Sequence, residues 1–203
     1  MADTVVHPQR KFLLVVTTGG FTHAAPVFEI GRVLAERGHI IEFATLEGQE
    51  DWTNEYGFIS AIHLLGPGAT QEQMNAHYLG LRDWDMSKGL GVSMKSKYML
   101  DSFWPQTYHH LKNIMLNPET RPDMIIADFF VEAARDMQIE FYLPIATVWP
   151  HMPMLMMPCS YIPGEPGFQL EGTTTSEYAS LWLRLQNELV VFKSIFSILG
   201  WVL

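Results

Sequence analysis

A chain of 203 residues, 48% hydrophobic and 17% charged, is one ordinary globular domain or at most two small ones, with ample material for a core. Its net charge of −9 argues against nucleic acid or an anionic membrane as partner, since both call for clustered basic residues. The single cysteine, Cys159, excludes a disulfide framework and a cysteine-based metal site, as suits the cytoplasm.

Residues 1–10 lack the apolar core of a secretory leader and are expected to be disordered. From Lys11 an apolar, β-branched run predicts a strand over 11–17, ended by Gly19 and Gly20. Two glycines there make a tight turn, and they can also let the backbone approach a ligand. Pro26 suits the first position of a helix over 26–37, with Val27, Ile30, Val33 and Leu34 at amphipathic spacing and Gly38 as its stop. His23 then lies in the crossing at the carboxyl end of a strand, where open α/β sheets bind their ligands. An imidazole ionises near neutrality, so this one can act as a general base or simply be solvated.

Further strands are expected at 40–45, 58–64, 123–127 and 143–148, each short and apolar enough to be buried on both faces. Helices are expected at 71–80, 95–116, 130–138 and 175–199, with a surface loop over 160–174. Strands alternating with helices define an α/β fold with a parallel sheet and helices on both faces. Right-handed crossovers would bring the ends of the first and fourth strands, and so His23 and Asp128, to one rim. Asp128 reads equally well as the N-cap of the helix over 130–138. The apolar stretch 187–203 is interrupted by Lys193 and falls short of the roughly twenty residues that span a bilayer. A buried or interface helix is the expectation for it.

Other features carry less chemistry. Lys88-Gly-Leu-Gly91 has neither dinucleotide nor Walker spacing, and His109-His110 project about 100° apart on a helix, a poor chelating pair. His63 and His39 read as structural side chains. The absence of a GxGxxG fingerprint leaves a nicotinamide-dependent oxidoreductase unsupported.

Thr22-His23-Ala-Ala-Pro26, then Arg32-Val-Leu-Ala-Glu-Arg-Gly-His39-Ile-Ile-Glu-Phe-Ala-Thr45, resemble the start of the family 1 glycosyltransferases. The resemblance continues through Arg121-Pro-Asp-Met-Ile-Ile-Ala-Asp128-Phe-Phe and Leu143-Pro-Ile-Ala146, and Met152-Pro153 with Pro163-Gly-Glu-Pro-Gly-Phe168 is similar to the fungal branch. It spans most of residues 10–190. It implies a Rossmann-like domain, the N-terminal, acceptor-binding half of a GT-B fold, with residues 1–203 forming that single domain. It implies that His23 is the catalytic base and Asp128 its partner, in an inverting transfer from a UDP-sugar to a hydroxyl of a hydrophobic small molecule. The UDP-sugar would be a co-substrate, with no cofactor and no metal. Phe21, Trp104, Trp149, His151 and Met152 are candidates to line the acceptor site, and Gly20 and Thr22 to approach the donor.

The tryptophan-containing start, the HxGxxS/T turn and the Glu/Asp-Gln pair of the family's donor-binding half do not occur in these residues. The expectation is therefore an acceptor-binding half without its donor-binding domain, in the cytoplasm or associated peripherally with a membrane. The alternative is a non-catalytic binding or regulatory fragment that pairs with a separate donor-binding subunit.

Overall fold

The structure, a computed structural model, describes residues 7–82, 94–150, 156–158, 168–170, 178–186, 189 and 192. They fall into two compact units: one from the described residues of 1–68 and 102–150, the other from those of 69–101 and 151–203.

The first unit is built on a parallel sheet of five strands: β1 (Lys11–Val15), β2 (Ile40–Thr45), β3 (Ile59–Leu64), β4 (Met124–Asp128) and β5 (Ile145–Val148), in the order β3-β2-β1-β4-β5. Helix α1 (Phe21–Glu36) links β1 to β2, and in the second unit lie α2 (Gln71–Arg82) and α3 (Met94–Asp101). In the first unit again, α4 (Trp104–Leu116) precedes β4, and α5 (Glu132–Phe141) links β4 to β5. Phe12 to Val15 pair with Met124 to Ala127 and also with Ile41 to Ala44, so β1 is the centre of the sheet. Because β2 and β4 lie on opposite sides of β1, right-handed crossovers put α1 and α5 on opposite faces.

Burial follows the strand period of two. Leu14, Val16, Ile41, Phe43 and Ile126 form one buried cluster with Ala24, Val27 and Phe28 of α1. Leu13, Val15, Ile125 and Ala127 point the other way and are buried as well. Phe28 meets Phe43 edge-on, with ring centroids 4.8 Å apart, and fixes α1 against the sheet. Gly31 permits that close approach, since a Cβ there would lie 2.6 Å from Leu14. Within β2, Glu42 is a buried carboxylate held by Lys11 Nζ at 3.0 Å and His63 Nε2 at 2.8 Å, so His63 is a structural partner.

Several expected boundaries move. α1 opens at Phe21, because the Gly20 carbonyl accepts the N–H groups of His23 and Ala24 and closes the first turn early. Pro26 is therefore inside the helix, and the N–H it lacks is the one that would reach Thr22. Ile30 and Val33, expected on the buried face, are exposed. The long helix over 95–116 is two helices, broken just before Pro105, whose ring suits a helix start. Gln9 and Arg10, expected to be disordered, are tied down: Gln9 Nε2 donates to the Gly38 carbonyl at 2.8 Å and Arg10 pairs with Asp123 at 3.1 Å.

In the second unit, β6 (Met156–Pro158) and β7 (Phe168–Leu170) pair antiparallel. β7 falls within the stretch expected to be loop, most of which lies outside the described residues, as does most of the expected helix over 175–199 beyond 181–186.

Candidate functional site

The strand order reverses between β1 and β4, which makes the crevice outside their carboxyl ends the place where a doubly wound sheet binds ligands. Both sequence candidates for chemistry sit at that point. His23 is the third residue of α1, in its first turn, and Asp128 is the last residue of β4. Across 105 residues of chain, His23 Nδ1 and Asp128 Oδ2 lie 2.9 Å apart. Both residues are buried, Asp128 almost wholly, with relative exposures of 8% and 1%.

A carboxylate only accepts hydrogen bonds, so Nδ1–H donates and the proton-accepting nitrogen of the ring is Nε2. The other carboxylate oxygen, Oδ1, accepts the Phe130 N–H at 3.1 Å. Asp128 thus closes a local turn after β4, while the N-cap of α5 is Val131 and not Asp128. The expected capping role is replaced by an Asx-type turn, which serves the same backbone by a different hydrogen bond.

Aromatic rings collect around the pair. Phe130 stacks on the His23 imidazole with centroids 4.9 Å apart and planes at 21°, and Phe129 lies 5.7 Å away at 29°. Phe129 stacks in turn on Trp149, at 4.2 Å and 15°. Sequence reasoning had Trp149 but missed Phe129 and Phe130 as site residues. Their one signal was position, directly after the aspartate that ends a strand.

The remaining candidates divide. Phe21 and Thr22 are exposed at the start of α1, and Thr22 Oγ1 donates to the Gly19 carbonyl at 3.2 Å. Gly20 adopts φ 75° with open space where a side chain would be. Trp104 is engaged elsewhere: its indole N–H donates to Asp136 of α5 at 2.8 Å and its ring stacks on Tyr108. Nothing in these contacts brings it to His23. His151 and Met152, like Lys88 to Gly91, lie outside the described residues. Among the described residues, no group of three or more His, Cys, Asp or Glu side chains is placed to hold a metal ion, and no helix is long and apolar enough to cross a membrane.

A parallel sheet whose strand order reverses beside a buried histidine–aspartate pair defines a Rossmann-like domain, and the switch point is where such sheets bind their ligands. A solved structure, of the glycotransferase of kitacinnamycin, is similar to 73% of this chain and 33% of its own, with a TM-score of 0.52 and 16% identity, and supports the fold. Among curated proteins, the chain is 43% identical over 197 residues to the UDP-glycosyltransferase FPY2 of Fusarium mangiferae and 41% identical over the same length to the UDP-glycosyltransferase stmC of Aspergillus ustus. Those matches take in 96% of this chain but 36% and 37% of the relatives, so the chain spans little more than a third of their length. No family model matches it. Over nearly its whole length the chain is similar to the N-terminal part of fungal UDP-glycosyltransferases, and it corresponds to the N-terminal part of a GT-B glycosyltransferase.

Proposed function

We propose that this chain is the acceptor-binding half of an inverting glycosyltransferase that moves a sugar from a UDP-sugar to a hydroxyl of a hydrophobic small molecule. The observation that carries the reading is the buried 2.9 Å contact between His23 Nδ1 and Asp128 Oδ2 at the switch point of the sheet. Kinship with fungal UDP-glycosyltransferases supports the choice of reaction.

In this reaction the acceptor hydroxyl gives its proton to Nε2 of His23 as its oxygen attacks the anomeric carbon. The bond from that carbon to the diphosphate breaks, UDP leaves with the electron pair, and attack from the opposite side inverts the configuration. Asp128 holds the tautomer that leaves Nε2 basic and stabilises the imidazolium as it forms, the logic of a catalytic triad without its serine. A base positioned in this way contributes about 10²–10⁴-fold in rate. Trp149 offers the acceptor a flat apolar wall, and Phe21 a second exposed ring. Gly20 and Thr22, at the positive end of α1, are offered to the anionic donor, and a donor-binding domain is the partner that would complete the diphosphate site.

The test incubates the chain with UDP-glucose and a panel of phenolic and sterol acceptors, alone and with the C-terminal half of a fungal relative supplied in trans. Glycosylated product that appears with the second half and disappears with His23→Ala is the expected result. Equal product from the His23→Ala chain would remove the base role.

A further inference from the structure

A hydrogen bond from Nδ1 to one carboxylate oxygen does not by itself stop an imidazole from pivoting about it, and each pivot swings Nε2 away from the bond it must serve. Two contacts in this site oppose the pivot. Phe130 lies nearly parallel to the ring, 4.9 Å away at 21°. Gly19 takes φ +86°, and a Cβ built on it would collide with Cγ and Cδ2 of His23 and come within 2.8 Å of Nδ1. Meeting those three atoms at once places it over the face of the ring and not beyond the edge. The backbone of Gly19 is therefore laid against the imidazole where any side chain would push it aside.

Phe130 is itself placed by the same carboxylate. Asp128 Oδ1 accepts its N–H, and the Asp128 carbonyl accepts the N–H of Val131, so the turn that ends β4 delivers the ring to the imidazole. Phe129 lies against Phe130, 4.0 Å between centroids, and Trp149 stacks on Phe129. One aspartate thus fixes both the edge of the imidazole, by a hydrogen bond, and the plane, through the residue two positions on. Burial alone asks only for an apolar side chain at 130; near-parallel stacking asks for a flat one.

We propose that Phe130 and Gly19 are positioning residues that hold the His23 imidazole in the orientation from which Nε2 takes the acceptor's proton. This rests on the reading of His23 as the base. Asp128 faces the imidazole with its charge, whereas Gly19 from the β1–α1 turn, and Phe129 and Phe130 from the β4–α5 turn, do not titrate.

The experiment reads the imidazole directly, by NMR of the 203-residue chain labelled with ¹⁵N-histidine. The expected spectrum holds a low-field Nδ1–H proton that is absent in His23→Gln, and a nuclear Overhauser contact between the His23 and Phe130 rings. Phe130→Tyr keeps the resonance, whereas Phe130→Leu and Gly19→Ala lose it to exchange with water. A sharp, unmoved resonance in Phe130→Leu overturns the proposal, as does its loss in Phe130→Tyr or the absence of the ring contact in the parent chain. Melting curves check that each variant folds, and the ring contact decides the matter should Phe130→Leu fail to. Failure of the parent reading shows elsewhere, as turnover that survives His23→Gln while these signals behave as expected.

Discussion

Asp128 serves two partners with its two oxygens, which separates its chemistry from its contribution to the fold. Asn at 128 keeps a carbonyl oxygen for the Phe130 N–H but removes the charge that stabilises an imidazolium. Asp128→Asn should therefore lower turnover by about 10²–10⁴-fold, the range for loss of a positioned base, while costing roughly 1–3 kcal/mol of stability. Steady-state rates and urea melts on one preparation would separate the two; a large loss of stability with full turnover would reverse the assignment. His23 and Asp128 were legible in the sequence because each follows an apolar run that only a buried strand explains. Phe130 was not, since its contact depends on a turn made by the Asp128 side chain, which composition does not record. Trp104 was singled out by residue type, and its hydrogen bond to Asp136 on the next helix depends on a helix contact that composition does not record.

At the level of elements, α1 carries His23 and is held by its packing on the sheet. Truncating Phe28, wholly buried between Phe43 and Tyr56, should cost about 3–5 kcal/mol, measured by chemical denaturation. Gly31→Ala gains helix propensity but crowds Leu14, Phe58 and Ile41, of which Leu14 and Ile41 are buried. Overpacking there, at about 1–3 kcal/mol, outweighs a gain of about 1, so the variant should melt lower. On the other side, α4 and α5 are joined by Lys112 and Tyr108 binding Glu140. The Lys112 ammonium, then the Tyr108 hydroxyl, hold the Glu140 carboxyl below its ordinary value of 4.5. A carboxyl held down in the folded state stabilises above its ordinary value and loses that contribution as pH falls below it. Acid melting curves should accordingly lose part of their slope below about 4.5 in Glu140→Gln, and an unchanged slope would contradict the linkage. The helix break before Pro105 was readable in principle, since proline favours a helix start. The early start of α1 was not, because it depends on the Gly20 carbonyl serving two N–H groups at once.

Across the whole molecule, the order β3-β2-β1-β4-β5 decides where chemistry can occur, since it alone brings residues 23 and 128 to one edge. Alternating apolar runs made the parallel sheet legible; the pairing of β6 with β7 was hidden among prolines and glycines that read as loop. On the proposed reading, most of the diphosphate contacts come from a donor-binding domain. Calorimetry should then show no measurable heat with UDP and measurable binding of a hydrophobic alcohol; tight UDP binding by the chain alone would count against that division, and binding without any turnover beside a second half would favour the non-catalytic reading. The central claim remains that His23, oriented by Asp128, removes the acceptor's proton. Its most direct measurement is the single-turnover rate of sugar transfer with the donor half supplied, compared between the parent chain and His23→Ala. A fall of about 10²–10⁴-fold without loss of acceptor binding is expected; a rate within a few-fold of the parent would remove His23 as the base.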